Sequence, residues 1–382
     1  MAARAGADAW LAMVLAPGLG ARGLGNLIEH FDRPLDWFEA SNEALRQAGL
    51  NSKQIEGLRQ PDAEAMARCH AWLADDQHHL VGLDDPYYPP LLKQIPDPPP
   101  ALFVAGDPEC LLRPQLAIVG SRNATSGGLA HARDFSATLA ATGLVITSGL
   151  AAGIDGAAHQ ACLDAGGTTV AVTGTGLDRV YPARHRELAH RIMRQGALVS
   201  QFPPGTGPRP GNFPVRNRLI SGMSLGTLVV EAGLRSGSLI TARLASEQGR
   251  EVFAIPGSVH NPLARGCHRL IRDGAKLVET AAEIAEELKP LAGQLAQALN
   301  ELLAEDGAGT LDSGLGAPKM SLDPDYERLL DAVGFDPTPV DEIIHRSQLT
   351  TAAVSSMLLM LELEGHVAAH PGGRYSRTHQ GP

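Results

Sequence analysis

Short apolar runs separated by amphipathic stretches dominate residues 116–288. Segments 116–119, 145–147, 169–173, 198–200, 227–230 and 251–255 are rich in apolar and β-branched residues and too short for core helices, so they read as buried strands. Between them, 128–142, 154–165 and 184–195 repeat apolar residues at helical spacing, and 276–278 reads as a short edge strand. Alternating strands and helices with continuous apolar strands predict an α/β fold. Its centre is an extended Rossmann-like, doubly wound and mostly parallel sheet.

The flanks follow other patterns. Residues 1–80 alternate helical apolar periods with glycine breaks and predict a small helical domain, with a long helix from Asp62 to Leu73. Pro17-Gly18-Leu19-Gly20 between two short helices suits either a plain helix turn or a helix–hairpin–helix turn that offers N–H groups to a phosphate. The central domain is expected over 81–290. Its first part, 81–114, is proline-rich, which rules out a long helix and favours an extended strap packed through Leu91, Leu92, Ile95, Leu102 and Phe103. A helix over 283–303 runs into a Gly/Asp/Ser-rich linker, so that 291–320 is assigned as helix and linker. In 321–382, three amphipathic helices (325–333, 339–346 and 351–364) precede a hairpin with a Pro-Gly-Gly turn, the winged-helix pattern.

Composition narrows the chemistry. Hydrophobic residues make up 44% and charged residues 19% of the 382, ordinary values for a globular chain with a sizeable core. The four cysteines lie far apart without metal-ligand spacing, so neither a zinc site nor a disulfide framework is expected, and a cytoplasmic location is. The apolar run behind Arg4 passes into a Gly/Pro turn without a cleavage pattern, so no signal peptide is expected, nor any membrane span or membrane partner. The net charge of −10 hides a split: residues 113–276 hold 18 Lys/Arg against 9 Asp/Glu. A basic centre suits a phosphate-bearing ligand, because binding follows the local field. The 321–382 segment instead carries four arginines, no lysine and nine acids, which favours a protein contact over duplex reading.

Four turns at the ends of these strands carry the candidate chemistry. The first holds Gly120, Ser121 and Arg122, with Thr125 opening the next helix; the second holds Gly149 and Gly153. The third holds Gly174 and Gly176, with Arg184 beyond. The fourth approaches through Phe213, Arg216, Asn217 and Arg218 and reaches Gly237-Ser238 after the strand. Small residues at a strand's carboxyl end before a helix point backbone N–H groups at an anion, and arginines supply charge. The spacing is not GxGxxG, so a dinucleotide fingerprint is absent, and no cofactor is expected. Asp155, His159 and Glu231 could act as acid or base, yet each has a structural alternative, and no nucleophile elbow, Walker lysine or HExxH occurs. Binding rather than catalysis is the expectation.

The motifs AIVGSRNATSGG, SGLAAGIDGAAHQACL, GTGLDRVYPARH, FPVRNRLISGMS, VVEAGLRSGSLITARLASEQGREVFAIPG and GCHRLIRDGAKLV occur in that order. Together they resemble the DNA processing protein A (DprA/Smf) family. The resemblance implies a helical N-terminal domain (SAM or helix–hairpin–helix-like) and a winged-helix C-terminus around the Rossmann-like domain. It implies that the protein binds single-stranded DNA, forms a homodimer through that domain, and loads the RecA recombinase during natural transformation. The acidic charge of the winged helix makes single-strand-binding protein or another protein its expected contact. The family's positive pocket falls on Arg122, Arg184, Arg216 and Arg218. Gln201 stands where the family usually has glutamate, and His268 where asparagine is common. With few aromatics near the motifs (Tyr181, Phe202 and Phe213), stacking is expected to be secondary and sequence preference slight.

Two other classes compete. Leu225-Gly226-Thr227 followed by Glu231 is similar to the GT…E element of Rossmann-like nucleotide phosphoribohydrolases, but Gly222-Met223-Ser224 stands where those enzymes carry PGG. A pure protein adaptor would leave the basic centre unexplained.

Overall fold

The computed structural model describes residues 2–31, 33–305, 324–334 and 338–350, together with 354, 357, 358, 361, 367–370 and 374–377. The chain divides into two compact units, Met1–Leu315 and Gly316–Pro382.

Nine strands form the sheet of the first unit: β1 (His78–Gly82), β2 (Ala101–Gly106), β3 (Gln115–Val119), β4 (Val145–Ser148), β5 (Thr169–Val172), β6 (Gly196–Ser200), β7 (Gly226–Val229), β8 (Glu251–Ala254) and β9 (Lys276–Leu277). Their order is β1-β2-β6-β5-β4-β3-β7-β8-β9. All pairs from β6 to β9 are parallel, and β1 and β2 add on antiparallel. From β3 the chain winds outward through β4, β5 and β6, then returns to place β7 on the other side. The sheet therefore reverses between β3 and β7, and there the carboxyl ends of two neighbouring strands splay to leave a crevice.

The proline-rich segment departs from the expected strap. Its prolines cluster before Ala101 and again at Pro108 and Pro114, leaving Ala101–Gly106 free of them. That window forms β2, buried along its whole length, and β1 pairs with it from Gly82↔Ala101 to His78↔Ala105. A strand with free N–H groups on both sides can join a ladder that its proline-flanked neighbours cannot. The N-terminal helices then cover this part of the sheet: Trp10, Met13, Leu27, Trp37 and Leu58 share one continuous apolar core with Leu102, Val104 and Val199. The turn at 17–20 joins helices Ala2–Leu15 and Ala21–His30, with Gly18 left-handed and its carbonyl held by Gln54 Nε2 at 2.8 Å. The expected long helix is Ala63–Trp72, capped by Asp62.

In the second unit, helices Pro324–Val333 and Val340–Ser347 accompany three strands, β10 (Thr338–Pro339), β11 (Val367–His370) and β12 (Arg374–Arg377), in the order β10-β12-β11. Leu329, Val333, Ile343, Val354, Leu358, Leu361 and Val367 form its core. The expected hairpin is β11–β12; its Pro-Gly-Gly turn lies outside the described residues. The 351–364 helix also lies largely outside them, with Val354, Met357, Leu358 and Leu361 seen as helical and buried. The helix before the linker spans Ala281–Glu305, and the linker from 306 onward is outside the described residues.

Candidate nucleic-acid interface

A cleft of about 760 Å³ opens where the strand order reverses. One wall comes from the turn after β3 (Gly120, Ser121, Arg122, Asn123), the other from the turn after β7 (Gly233, Arg235, Ser236, Gly237, Ser238). The helix Asn212–Met223 closes one side with Phe213, Arg216, Asn217 and Ile220. The charged residues lining it are Arg122, Arg216, Arg235 and Asp155, so it is net positive.

The turn after β4 lies beneath and is shaped by Arg216. Leu150 there adopts a left-handed backbone (φ 56°), which a residue with a Cβ enters only when its surroundings impose it. Gly153 (φ 78°) presses so close to the first turn that a Cβ would lie 2.2 Å from the Ser121 carbonyl oxygen. Gly149 is required for another reason: a Cβ on it would meet the Arg216 guanidinium at 2.8 Å. Arg216 is only 4% exposed. Its Nη1 donates to the Gly149 carbonyl at 2.7 Å and to that of Val172, so one cation ties together the ends of β4 and β5. Its Nε donates to Asn217 Oδ1 at 3.2 Å. Burial pushes this guanidinium down to about 10, while the Asp155 carboxylate opposes the shift. Burial likewise raises Asp155, against the pull of Arg216 and of its own hydrogen-bond donors. Asp155 does not cap its own helix; its Oδ2 accepts from the N–H groups of Gly149 and Ala151, upstream in the turn.

Arg122 is exposed, and its guanidinium carbon sits 5.6 Å from the centroid of the Phe213 ring. A cation over an aromatic face is held in position while its N–H groups stay free for an anion. The Tyr181 ring lies 5.6 Å from Phe213 as well. Asn212 Nδ2 donates to the Gly174 carbonyl at 3.0 Å, fixing the start of this helix against the third turn.

Of the residues expected at the site, Gly120, Ser121, Arg122, Phe213, Arg216, Asn217, Gly237 and Ser238 line the cleft, and Gly149, Gly153 and Gly174 pack directly behind it. Gly176 is turned away, packed on Pro203 and Asp178, and Arg184 is exposed on the 3₁₀ turn Ala183–His185 without lining the cleft. Arg218 is placed elsewhere. Residues 212–223 form a helix, so positions 216 and 218 stand about 200° apart around it. Arg218 points to the strap, where it pairs with Asp97 at 3.3 Å and donates to Gln201 Oε1 at 2.7 Å. The glutamine at 201 thus still serves as the acceptor for this arginine. His268, the other departure from the family pattern, reaches the Gly257 carbonyl through Nε2 at 2.9 Å.

Thr125 belongs to a neighbouring recess. Its N–H and hydroxyl both donate to Glu231, at 2.9 and 2.7 Å, and Asn261 Nδ2 adds a third bond at 3.2 Å. Glu231 is 7% exposed and organises a threonine and an asparagine. That carboxylate lines a separate recess of about 200 Å³ instead of the cleft. His159, on the helix Ile154–Asp164, is buried against the sheet: Nδ1 donates to Thr169 Oγ1 at 2.7 Å, because that hydroxyl gives its own proton to the Ile146 carbonyl. Sequence reasoning omitted Arg235, Asn123 and Tyr181 from the site. Arg235 sits one residue before the Ser236-Gly237-Ser238 turn, a position that could have marked it. Among the described residues, no cluster of His, Cys, Asp and Glu is placed to hold a metal, and no helix is long and apolar enough to cross a membrane.

Comparison with known proteins fits this geometry. The family model for DNA recombination-mediator protein A matches residues 79–289, and that for the DprA winged helix domain matches 315–373. Protein Smf of Escherichia coli K12 is 45% identical over 331 residues, covering 86% of this chain and 85% of that one. The X-ray structure of DprA from Streptococcus pneumoniae superposes with a TM-score of 0.66 at 36% identity, over 73% of this chain and 97% of that chain. DprA from Helicobacter pylori, solved for its single-stranded DNA binding mode, gives a TM-score of 0.51 at 28% identity, over 56% of this chain and 96% of that chain. With both family models matched in order and a relative of this identity aligned over most of its length, the chain belongs to the DNA processing protein A (DprA/Smf) family.

Proposed function

We propose that this protein binds single-stranded DNA through phosphate contacts at the cleft between β3 and β7, and loads the RecA recombinase onto it in natural transformation. The carrying observation is the pair of exposed arginines, Arg122 and Arg235, on opposite walls of a net positive cleft. Backbone N–H groups and arginines recognise phosphates without reading bases, so little sequence preference is expected. The Helicobacter pylori relative, which binds single-stranded DNA, supports the same reading. Homodimerisation through the sheet domain, a cytoplasmic location and a protein contact through the acidic second unit complete the proposal.

The role is binding and not turnover. Glu231, on which a phosphoribohydrolase reading depends, spends its carboxylate on Thr125 and Asn261. Release of free base from nucleoside monophosphates by the purified protein would reverse this reading.

Gel-shift titration with oligothymidine tests the site. Arg122→Ala should weaken binding about 10-fold or more at low salt and reduce the salt slope of log K by about 0.7, the share of one phosphate contact. Equal affinity of the wild type for duplex, or an unchanged mutant, would overturn the assignment. RecA filament assembly on strands coated with single-strand-binding protein should quicken with the wild type and not with this variant. Arg218→Ala should behave oppositely. With Arg218 engaged by Asp97 and Gln201, its loss should lower stability by about 1–3 kcal/mol in thermal melts and leave DNA affinity within about twofold.

A further inference from the structure

The aromatic pair at the cleft's rim has an asymmetry. Phe213 is half-buried: Arg122 lies over its ring, Tyr181 lies beside it at a 42° tilt, and Gly174 packs against its edge so closely that a Cβ there would be 3.0 Å from Phe213 Cδ1. With three neighbours on its ring, Phe213 serves as a wedge that holds Arg122 and Tyr181 in place. Tyr181 is the opposite case. It also lines the cleft, yet 46% of it is exposed, which makes it one of the few large apolar side chains left open to water in this unit. Tyr181 lies in sequence between the third turn and the 3₁₀ turn at Ala183–His185, and its ring rests beside that of Phe213. An exposed π-face and an exposed arginine that flank the same Phe213 ring in one cleft have the chemistry of a nucleotide step: the cation takes a phosphate while the ring takes a base.

We infer that Tyr181 is a stacking platform for a nucleobase of the bound strand, in addition to the phosphate contacts. The inference rests on the single-strand reading above and sharpens it. Bases in a duplex are already stacked on each other and cannot use the platform, so Tyr181 contributes to the choice of single over double strand. Aromatic stacking tolerates any base, which keeps the lack of sequence preference. It also involves no counterion release, and this separates it from the work of Arg122.

Fluorescence anisotropy with a labelled 20-mer oligothymidine and an abasic 20-mer of the same backbone distinguishes the two roles. Tyr181→Ala should lose about tenfold in affinity for oligothymidine with an unchanged salt slope, and nothing on the abasic strand; Tyr181→Phe should stay within about twofold of wild type on both. Arg122→Ala should lose affinity for both strands. Circular dichroism melts of the Tyr181 variants check that they fold, which this half-exposed position allows. Equal losses for Tyr181→Ala on both strands, or no loss on oligothymidine, would overturn the platform while leaving phosphate binding intact. Failure of the wild type to bind either strand would overturn the single-strand reading and the platform together.

Discussion

Replacing Arg216 by methionine should lower the unfolding free energy of the first unit by about 3–5 kcal/mol, the usual cost of removing one partner from a buried charge pair. The melting temperature should fall by roughly 10 °C in a thermal scan. Methionine fills much of the same space, so little of this loss would come from a cavity. It would come from the Gly149 and Val172 carbonyls, which lose their donor, and from Asp155, which loses the cation that offsets the cost of its burial. Arg216→Lys should recover part of the stability, since an ammonium restores the charge but cannot span the guanidinium's donor geometry. A melting temperature for Arg216→Met within about 2 °C of wild type would show that the cation is not the tie between β4 and β5. DNA affinity should drop in the same variant even below its melting point, because the turn carrying Leu150 and Gly153 loses its anchor.

Acid should destabilise the protein through His159 as the pH falls from 7 to 5. The ring is fully buried, and burial holds it down at about 3, with the neighbouring His185 and Arg216 adding to the shift. An unfolded chain binds a proton at the same histidine near pH 6.5. Between those two values the unfolded state carries the extra proton, so stability rises with pH and is lost as pH falls. The loss is about 1.4 kcal/mol per unit, hence about 2 kcal/mol on going from pH 7 to pH 5. His159→Gln should flatten this slope relative to wild type, whatever it does to absolute stability. Urea unfolding at pH 7, 6 and 5 measures it, and parallel slopes for the two proteins would exclude His159 as the source.

Alternating short apolar runs determined the sheet's parallel core, because a strand covered on both faces has no polar side to confuse its period. The glycine and arginine content of the strand-end turns determined where a phosphate ligand should lie, since parallel strands bring all their carboxyl ends to one edge. Strand β2 was hidden by the prolines around it, and β1 by having no apolar alternation of its own. Among the described residues β1 pairs only with β2, and β2 in turn with β6, almost 100 residues further along the chain.

The division of labour among the arginines was decided only by tertiary structure. Sequence spacing put Arg216 and Arg218 together; a helix put one under the cleft and the other on the strap, because two residues make more than half a turn. Arg235 and Tyr181, distant in sequence from Arg122, join it only because the order reversal sets β7 beside β3 and the third turn folds back over Phe213. Glu231 had the spacing of a catalytic acid, and its role as a partner of Thr125 and Asn261 appears only when three turns meet. Local pattern reports what a residue's own segment can form. Which side chains share a cleft, and which spend their charge on the fold, depends on contacts between segments that no local pattern encodes.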